Sequence, residues 1–262
     1  MSAASKIMPK TKSGGLGLAF GWVALGLGFF LVALVMTLPA AHVAGWLKLP
    51  LSDVRGSVWQ GSAQLRLPML QLEKIDWRVS LGAPWSTPLV AKVKVDDASV
   101  QAQSLVGLAW NGALRVRNLQ IDTRLNSPLV TAYLPVPLDG VVRFNAASAL
   151  WQGGLRQVEN AQLDVNELKL LMGEPLLLGS FAAQAAVQNG VLNTSLRDTA
   201  GMVQLQGEVQ GDAASGVSLQ AHAQARPGAP QALLDTLGLL PAAPGGGAIL
   251  QGRVPAPWLA RL

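Results

Sequence analysis

The chain contains no cysteine and has only two histidines, His42 and His222, among its 262 residues. The lack of cysteine excludes disulfide bonds, thiolate nucleophiles, iron–sulfur clusters and cysteine-based zinc sites. With two histidines, a histidine-rich metal centre is not expected. Charged residues make up 13% of the chain and hydrophobic residues 50%, whereas a typical soluble domain has about 25% charged residues. This apolar composition excludes an intrinsically disordered chain.

The net positive charge is small outside the N-terminus. Lys6, Lys10 and Lys12 supply three of the five net positive charges. No run of Lys and Arg interleaves with aromatic residues, which is the pattern that binds single-stranded nucleic acid. The sequence therefore predicts no nucleic-acid partner.

Residues 13–47 carry no Asp, Glu, Lys or Arg. A helix over residues 16–38 would cross the ~30 Å hydrocarbon core of a bilayer at 1.5 Å per residue. The lysines precede this span, so we expect residues 1–15 in the cytoplasm and everything after a linker at 39–50 outside it. The alternative is a cleaved signal peptide ending near Ala41. The apolar run exceeds the 7–15 residues of a signal peptide's apolar core, which favours an uncleaved anchor.

Three glycines of this segment, Gly17, Gly21 and Gly28, lie close to one stripe of the predicted helix. Small residues with this spacing allow two membrane helices to approach closely. The stripe is a candidate helix-packing surface, although glycine is common in membrane helices whatever their partners.

Residues 48–262 alternate between apolar and polar residues with a period of two, as in Val217–Arg226. Such alternation indicates antiparallel strands with one apolar face and one wet face, and Ala and Val dominate the apolar positions. Similar strands are predicted at Val90–Asp96, Leu114–Arg117, Val141–Asn145 and Met202–Gln210. The uncharged segment 175–196 is predicted to contain a buried strand rather than a second membrane helix, because its apolar part is too short to span.

Turns and short helices separate these strands. Glycine turns are predicted at Asn111-Gly112, Asp139-Gly140, Asn189-Gly190 and Gly211-Asp212. Short helices are predicted from Pro128 to Leu134 and from Pro230 to Gly238. The fold class is therefore mainly β: a single N-terminal transmembrane helix, an extended antiparallel sheet and a few short helices.

The order of motifs repeats along the exported part. Trp59-Gln60-Gly61 and Trp151-Gln152-Gly153 each precede strands, a leucine-rich helix and a Pro-Pro-Gly segment, and a looser Trp110-Asn111-Gly112 lies between them. We interpret this order as a tandem duplication with related halves at 51–145 and 146–262, the second ending in a Pro/Gly-rich tail. Chance agreement among abundant Pro and Gly is the alternative.

No catalytic motif is present. His222 is flanked by alanines in a predicted strand, no serine lies in a G-x-S-x-G, and no phosphate-binding loop occurs. We therefore expect no enzyme activity, no cofactor and no metal. Trp59, Trp77, Trp85, Trp110 and Trp151 are predicted to anchor the core, because each can bury a large apolar area. The alternative is a ligand platform.

One segment is specific. Val54–Ala63 contains Gly56, Val58, Trp59, Gly61 and Ala63 in a Gly-x-Val-Trp-x-Gly-x-Ala pattern. This pattern resembles the signature of protein N of the bacterial type II secretion system. Asp76-Trp77, the prolines Pro84 and Pro88, the segment Leu134–Gly140 and the segment Leu176–Gly179 are also similar to that family.

The resemblance implies a bacterial inner-membrane protein with its bulk in the periplasm and with other secretion components as partners. It transfers no catalytic residue. The expected function is therefore a non-catalytic component of the secretion machinery. A lipid-handling protein similar to AsmA is the alternative, and the two differ in whether the apolar sheet face is a closed core or an open groove for lipid.

Overall fold

The computed structural model describes residues 30, 33–46, 48–67, 70–127, 131, 137–171, 174–212, 215–244 and 246–254. Within these ranges the named helices are α1 (Ala40–Trp46) and α2 (Gln231–Gly238). The strands are β1 Leu51–Gly56, β2 Gln60–Leu67, β3 Leu70–Leu81, β4 Leu89–Asp96, β5 Val100–Leu108, β6 Leu114–Arg124, β7 Leu138–Trp151, β8 Leu155–Leu170, β9 Leu176–Gln188, β10 Val191–Gly201, β11 Val203–Asp212, β12 Gly216–Ala225 and β13 Ala248–Val254.

These strands form one antiparallel sheet in which each strand pairs with its neighbours in sequence, from β1 to β13. The mainly β, antiparallel prediction is confirmed. The strands predicted from alternation lie within β4, β6, β7, β11 and β12, apart from Met202 and Arg226, which flank β11 and β12. The uncharged segment 175–196 supplies β9 and the start of β10, as expected of a buried strand rather than a membrane helix.

The two faces of the sheet differ along its whole width. Residues opposite each other in a ladder lie on the same face. One register row is polar or charged on all thirteen strands that the described residues form: Arg55, Ser62, Asp76, Lys94, Gln103, Gln120, Asn145, Gln162, Gln184, Ser195, Glu208, Gln220 and Gln251. The adjacent row lacks polar side chains from β2 to β13: Ala63, Ile75, Val95, Ala102, Ile121, Phe144, Leu163, Ala183, Leu196, Gly207, Ala221 and Leu250.

The core on the apolar face is built from small residues, as the sequence predicts. Most of the buried apolar residues are alanines, including Ala63, Ala183 and Ala221. Around the second predicted short helix, now α2, the buried cluster consists of Val203, Ala223 and Leu233. Leu233 is 2% exposed because α2 lays its apolar stripe against the end of the sheet formed by β9, β11 and β12.

Four non-glycine residues within strands have left-handed backbones: Asp53, Asn118, Asn160 and Glu167. Each coincides with a shift in strand register, at which one strand carries an extra residue. A β-bulge of this kind increases the local twist of a strand and resets the alternation of its side chains. The bulges thereby help to keep the polar and apolar rows continuous across long strands.

Two predicted turns are wrong. Asp139-Gly140 lies inside β7, where Asp139 pairs with Lys169, and Gly211-Asp212 ends β11, where Gly211 pairs with Val217. A Cβ atom on Gly211 would lie 2.6 Å from the Val217 Cα. At this position glycine lets β11 and β12 approach each other closely, and it does not form a turn. The predicted turns at Asn111-Gly112 and Asn189-Gly190 are confirmed.

No helix among the described residues is both long and apolar enough to cross a membrane. Residues 1–29 and 31–32 lie outside the described part of the chain, and they include most of the predicted span at 16–38. The predicted Pro128–Leu134 helix also lies outside it except for Thr131, which is helical and donates its backbone N–H to the Ser127 carbonyl at 3.0 Å. The predicted linker at 39–50 contains α1. The sheet continues through the predicted boundary at 145/146 within β7, and the relation between two halves stays a prediction.

Candidate functional site

The signature residues fall together on the hairpin formed by β1 and β2. Gly56 ends β1, Val58 and Trp59 lie in the turn, and Gly61 and Ala63 lie on β2. Gly56 has φ +91° and faces Gly61, and a Cβ on Gly56 would overlap the Gln60 carbonyl oxygen and lie 2.8 Å from the Gly61 Cα. The two strands can close this tightly because neither residue has a side chain.

Trp77 on β3 supports the turn from the neighbouring strand. A Cβ on Gly61 would lie 2.6 Å from the Trp77 Cζ2, so the indole ring occupies the space that a side chain on Gly61 would need. The Trp77 indole N–H donates to the Val58 carbonyl at 3.2 Å. Trp77 is half-buried, as is the turn it supports. The glycine and the tryptophan therefore fix the backbone of Val58 together.

The turn between β1 and β2 also binds the end of an N-terminal helical segment. Residues 33–36 are helical, and the last four carbonyls of any helix lack partners within it. The Trp59 indole N–H donates to the Val35 carbonyl at 2.9 Å, and the Val58 backbone N–H donates to the Leu38 carbonyl at 3.1 Å. Pro39 forms an isolated bridge with Ser57. We call this set of contacts the clasp: the turn residues 57–59, Trp77, and the carbonyls of Val35 and Leu38.

Ala63 belongs to a different environment. It is 3% exposed and lies on the apolar face of β2 opposite Ile75. A small residue at this position keeps the apolar row close-packed where the sheet starts. The signature thus combines two tight glycines, two clasp residues and one core alanine.

The other predicted site residues are not brought to the clasp. Gly17, Gly21 and Gly28 lie outside the described residues, and the helix-packing stripe stays a prediction. Sequence reasoning also missed Val35 and Leu38 as acceptors, because a backbone carbonyl carries no residue-type signal. Trp77 stood out in the sequence as one of five predicted core tryptophans and as part of the Asp76-Trp77 pair, but neither pattern predicted its contact with the turn.

The prediction that five tryptophans anchor the core is wrong for three of them. Trp85 is 84% exposed, Trp110 is 75% exposed and Trp151 is 47% exposed. The buried positions lie mostly within strands and hold small residues, whereas these three tryptophans lie at or beside hairpin turns. Trp59 and Trp77 are half-buried and use their indole N–H groups in the clasp.

Two polar side chains that could suggest chemistry, His222 and Asp97, have structural surroundings. His222 lies on β12 opposite Gln206 and Ile249, and within the part of the chain that the structure covers no three His, Asp or Glu side chains converge as metal ligands do. Hydrogen bonds from the Glu73 backbone and from the Ser99 hydroxyl and backbone lower the pKa of Asp97 below its ordinary 3.8. Asp97 lies in the turn between β4 and β5, and it ties that turn to β3.

A shallow depression of about 560 Å³ lies on the polar face of β8–β11. Its lining includes the amides of Gln162, Gln184 and Asn193 and the carboxylate of Glu208. These groups stand side by side on adjacent strands with solvent above them. The depression is a hydrophilic surface formed by the polar rows.

Comparison with known proteins identifies a family. The model of the family described as type II secretion system protein N matches residues 48–250. The matched region begins before β1 and ends within β13, so it includes the clasp turn and most of the sheet. No curated protein and no solved structure matches the chain.

Proposed function

The chain belongs to the protein N family of the type II secretion system, and we propose that it is a non-catalytic component of that machinery, anchored in the bacterial inner membrane by residues 16–38 with its bulk in the periplasm. The family match carries the proposal. The other components of the secretion machine in the inner membrane and periplasm are its expected partners, and nucleic acid is not.

Three observations support the membrane anchor. Residues 13–47 have no charged side chain. At the described end of the predicted span, Leu34, Val35 and Met36 are each about half exposed, so the helical turn presents apolar side chains to its surroundings in several directions. A helix that is apolar all round suits the interior of a bilayer. The lysines at 6, 10 and 12 precede the span, and this charge asymmetry supports a cytoplasmic N-terminus.

The clasp gives the anchor a mechanical role. Two hydrogen bonds, from the Trp59 indole and the Val58 backbone, join the end of the helix to the first hairpin of the sheet. Trp77 and Gly61 brace this hairpin from β3. A sheet held in this way keeps a fixed direction relative to the membrane helix. Its partner surfaces are then presented at one orientation, and confinement to the membrane raises their effective concentration.

The sheet edge at β13 is the candidate partner contact. β1, at the other edge, carries a bulge with the left-handed Asp53, and an irregular edge discourages pairing. β13 pairs with β12 over seven consecutive residue pairs with no shift of register. The start of its outer edge is bridged by Ala242 at Ala248. The regular part beyond Ile249 can accept a strand from another chain.

The test of this function measures how much folded substrate crosses the outer membrane in a strain that lacks the gene for this chain. Complementation with the wild-type chain should restore secretion, and Trp59→Phe should restore it less well because it removes the indole N–H while keeping a ring. Trp46→Phe is the matched control, since Trp46 is 85% exposed on α1. Normal secretion in the deletion strain, together with no crosslinking to any secretion component in intact membranes, would contradict the proposal.

One observation favours a second candidate, lipid handling. The apolar row runs without a polar side chain from β2 to β13, and among the described elements α2 covers only its last part. Most of its large members, such as Ile121, Phe144 and Leu163, are half-buried rather than buried. Purified chain should then retain phospholipid, measurable by mass spectrometry, and Phe144→Gln should reduce the amount. If the wild-type chain and Phe144→Gln retain equal amounts of phospholipid, the result counts against this function.

A further inference from the structure

One end of the sheet carries a line of apolar residues across six strands, exposed on five of them and half-buried at Leu89 on β4. Leu81 pairs with Leu89, Leu89 with Leu108, and the row continues through the pairs Leu108–Leu114, Leu114–Trp151 and Trp151–Leu155. Leu81 is 72% exposed, and Leu108, Leu114, Trp151 and Leu155 are also exposed. A single exposed leucine is ordinary on a protein surface, whereas a contiguous exposed apolar patch marks a site of interaction with a protein or a membrane.

Two further tryptophans extend this line into the turns. Trp85 lies between β3 and β4, and Trp110 lies between β5 and β6. The Trp110 indole N–H donates to the Pro84 carbonyl at 2.7 Å, which ties the two turns together while leaving both rings largely exposed. We call the row together with Trp85 and Trp110 the apolar rim.

The rim lies at the same end of the sheet as the clasp. All odd-numbered strands from β1 to β7 run towards this end, and the β1–β2 turn belongs to it together with the turns that carry Trp85, Trp110 and Trp151. The Trp59 carbonyl accepts a hydrogen bond at 2.6 Å from the N–H of Val79, two residues before Leu81. The helical segment that enters at Val35 is therefore attached beside the rim.

Charge is distributed unevenly between the two ends of these strands. Within four register positions of the rim, β3–β8 carry five bases and one carboxylate: Arg78, Lys92, Arg115, Arg117, Arg156 and Glu159. The remainder of the same strands carries seven carboxylates and five bases. The rim turns 82–88, 109–113 and 152–154 contain no charged residue.

Ion pairing follows the same division. Away from the rim, Asp76, Asp96 and Asp122 are paired with bases on the same or the adjacent strand. Among the described residues, the five bases near the rim are exposed and form no ion pair. Exposed tryptophan and leucine with unpaired bases just behind them match the interface of an anionic bilayer, where aromatic rings lie at the headgroups and bases meet lipid phosphates.

We propose that the apolar rim rests in the headgroup region of the membrane that holds the anchor, so that the chain has a second membrane contact on β3–β8. The inference deepens the proposed function, on whose anchor it rests. The rim and the clasp would together hold the strands upright on the bilayer, with the turn at residues 97–99 facing away from it.

The absence of cysteine from the chain makes the test direct. Single cysteines replace Trp85 in the rim and Ala98 at the other end of β4, and each is labelled with an environment-sensitive fluorophore in the full chain. The eight residues of β4 separate the two labels by about 26 Å at ~3.3 Å per residue. The chains are reconstituted in vesicles of phosphatidylcholine with phosphatidylglycerol, some of which carry a nitroxide quencher at headgroup depth.

We expect quenching at position 85 to be several-fold stronger than at position 98, and to weaken in vesicles of phosphatidylcholine alone. Vesicle flotation is measured on the same samples. A chain that does not float has lost the proposed anchor, whereas a chain that floats with position 85 as unquenched as position 98 overturns the rim contact alone. In that second case a crosslink from position 85 to a protein would identify a protein partner as the occupant of the rim.

Discussion

Gly61 provides the sharpest test of the clasp. A methyl group at this position would overlap the Arg55 carbonyl oxygen and lie 2.6 Å from the Trp77 Cζ2. Neither neighbour is the free end of a flexible side chain, because the first is backbone and the second is a ring whose N–H is bonded to Val58. In Gly61→Ala, either β1 separates from β2 or the Trp77 ring turns away from the turn.

The cost has two parts. Forcing a methyl group into a packed position typically destabilises a protein by about 1–3 kcal/mol. Loss of the hydrogen bond from Trp77 to Val58 adds about 1 kcal/mol. We therefore expect Gly61→Ala to lower the free energy of unfolding by about 2–4 kcal/mol. Gly252→Ala on β13 is the control, since no atom lies within 4 Å of its Cβ position, and its change should stay within about 0.5 kcal/mol.

The assay is urea denaturation of the full chain in vesicles, followed by tryptophan fluorescence and by circular dichroism. If the Trp77 ring is half of the obstacle, the double variant Gly61→Ala with Trp77→Ala should cost less than the sum of the single variants, because contacting residues are not additive. A Gly61→Ala chain as stable as the Gly252→Ala chain would refute the packing of Trp77 against Gly61.

Three further outcomes follow from other contacts. Trp59→Phe removes the hydrogen bond to the Val35 carbonyl, which should destabilise the turn by about 0.5–1.5 kcal/mol. Amide hydrogen exchange at Val58 should therefore become faster, while Trp46→Phe leaves that rate unchanged. Asp97→Asn should lower the free energy of unfolding at pH 7 by about 1–2 kcal/mol. Because the pKa of Asp97 is lowered in the folded state, this difference from wild type should shrink as the pH falls below the ordinary value of 3.8. A difference that does not change with pH would contradict the role of the charge. Asp198 accepts the Leu205 N–H at 3.0 Å and pairs with Arg226, so in urea titrations Asp198→Ala should cost more than Arg226→Gln, which leaves the Leu205 bond in place.

Much of the sheet could be predicted because each strand has one wet face. The alternation in Val217–Arg226 reappears in β12, where His222 and Gln220 lie on the polar face and Ala221 is buried. Glycine was less informative, since one residue serves two purposes. Asn189-Gly190 makes a turn, whereas Gly211 lets two strands approach closely, and both look alike in sequence.

The tryptophans show the limit of composition as a guide. A large aromatic residue predicts burial in general, yet Trp85 and Trp110 are mainly exposed while Trp77 packs on Gly61. The repeated Trp-Gln/Asn-Gly triplets mark where three of the tryptophans lie in the sheet. All three lie at hairpin turns on one end of the sheet, and this common position could be recognised only once the strand order was known.

The rim and the clasp also bear on which of the two functions operates. The rim crosses six strands, or about 24 Å at ~4.8 Å between neighbours, and it ends at β8, so β9–β13 extend beyond the proposed membrane contact. If the chain handles lipid, acyl chains enter the apolar face where the rim meets the bilayer, and substitutions on the apolar row near β3–β8 should matter most. If the chain is a secretion subunit, its partners meet the part beyond the rim, where β13 offers a regular edge. Ile121→Gln on β6 and Leu250→Gln on β13, both in the apolar row, therefore make a discriminating pair in the secretion assay: a larger defect for Leu250→Gln supports the subunit, and a larger defect for Ile121→Gln supports lipid entry.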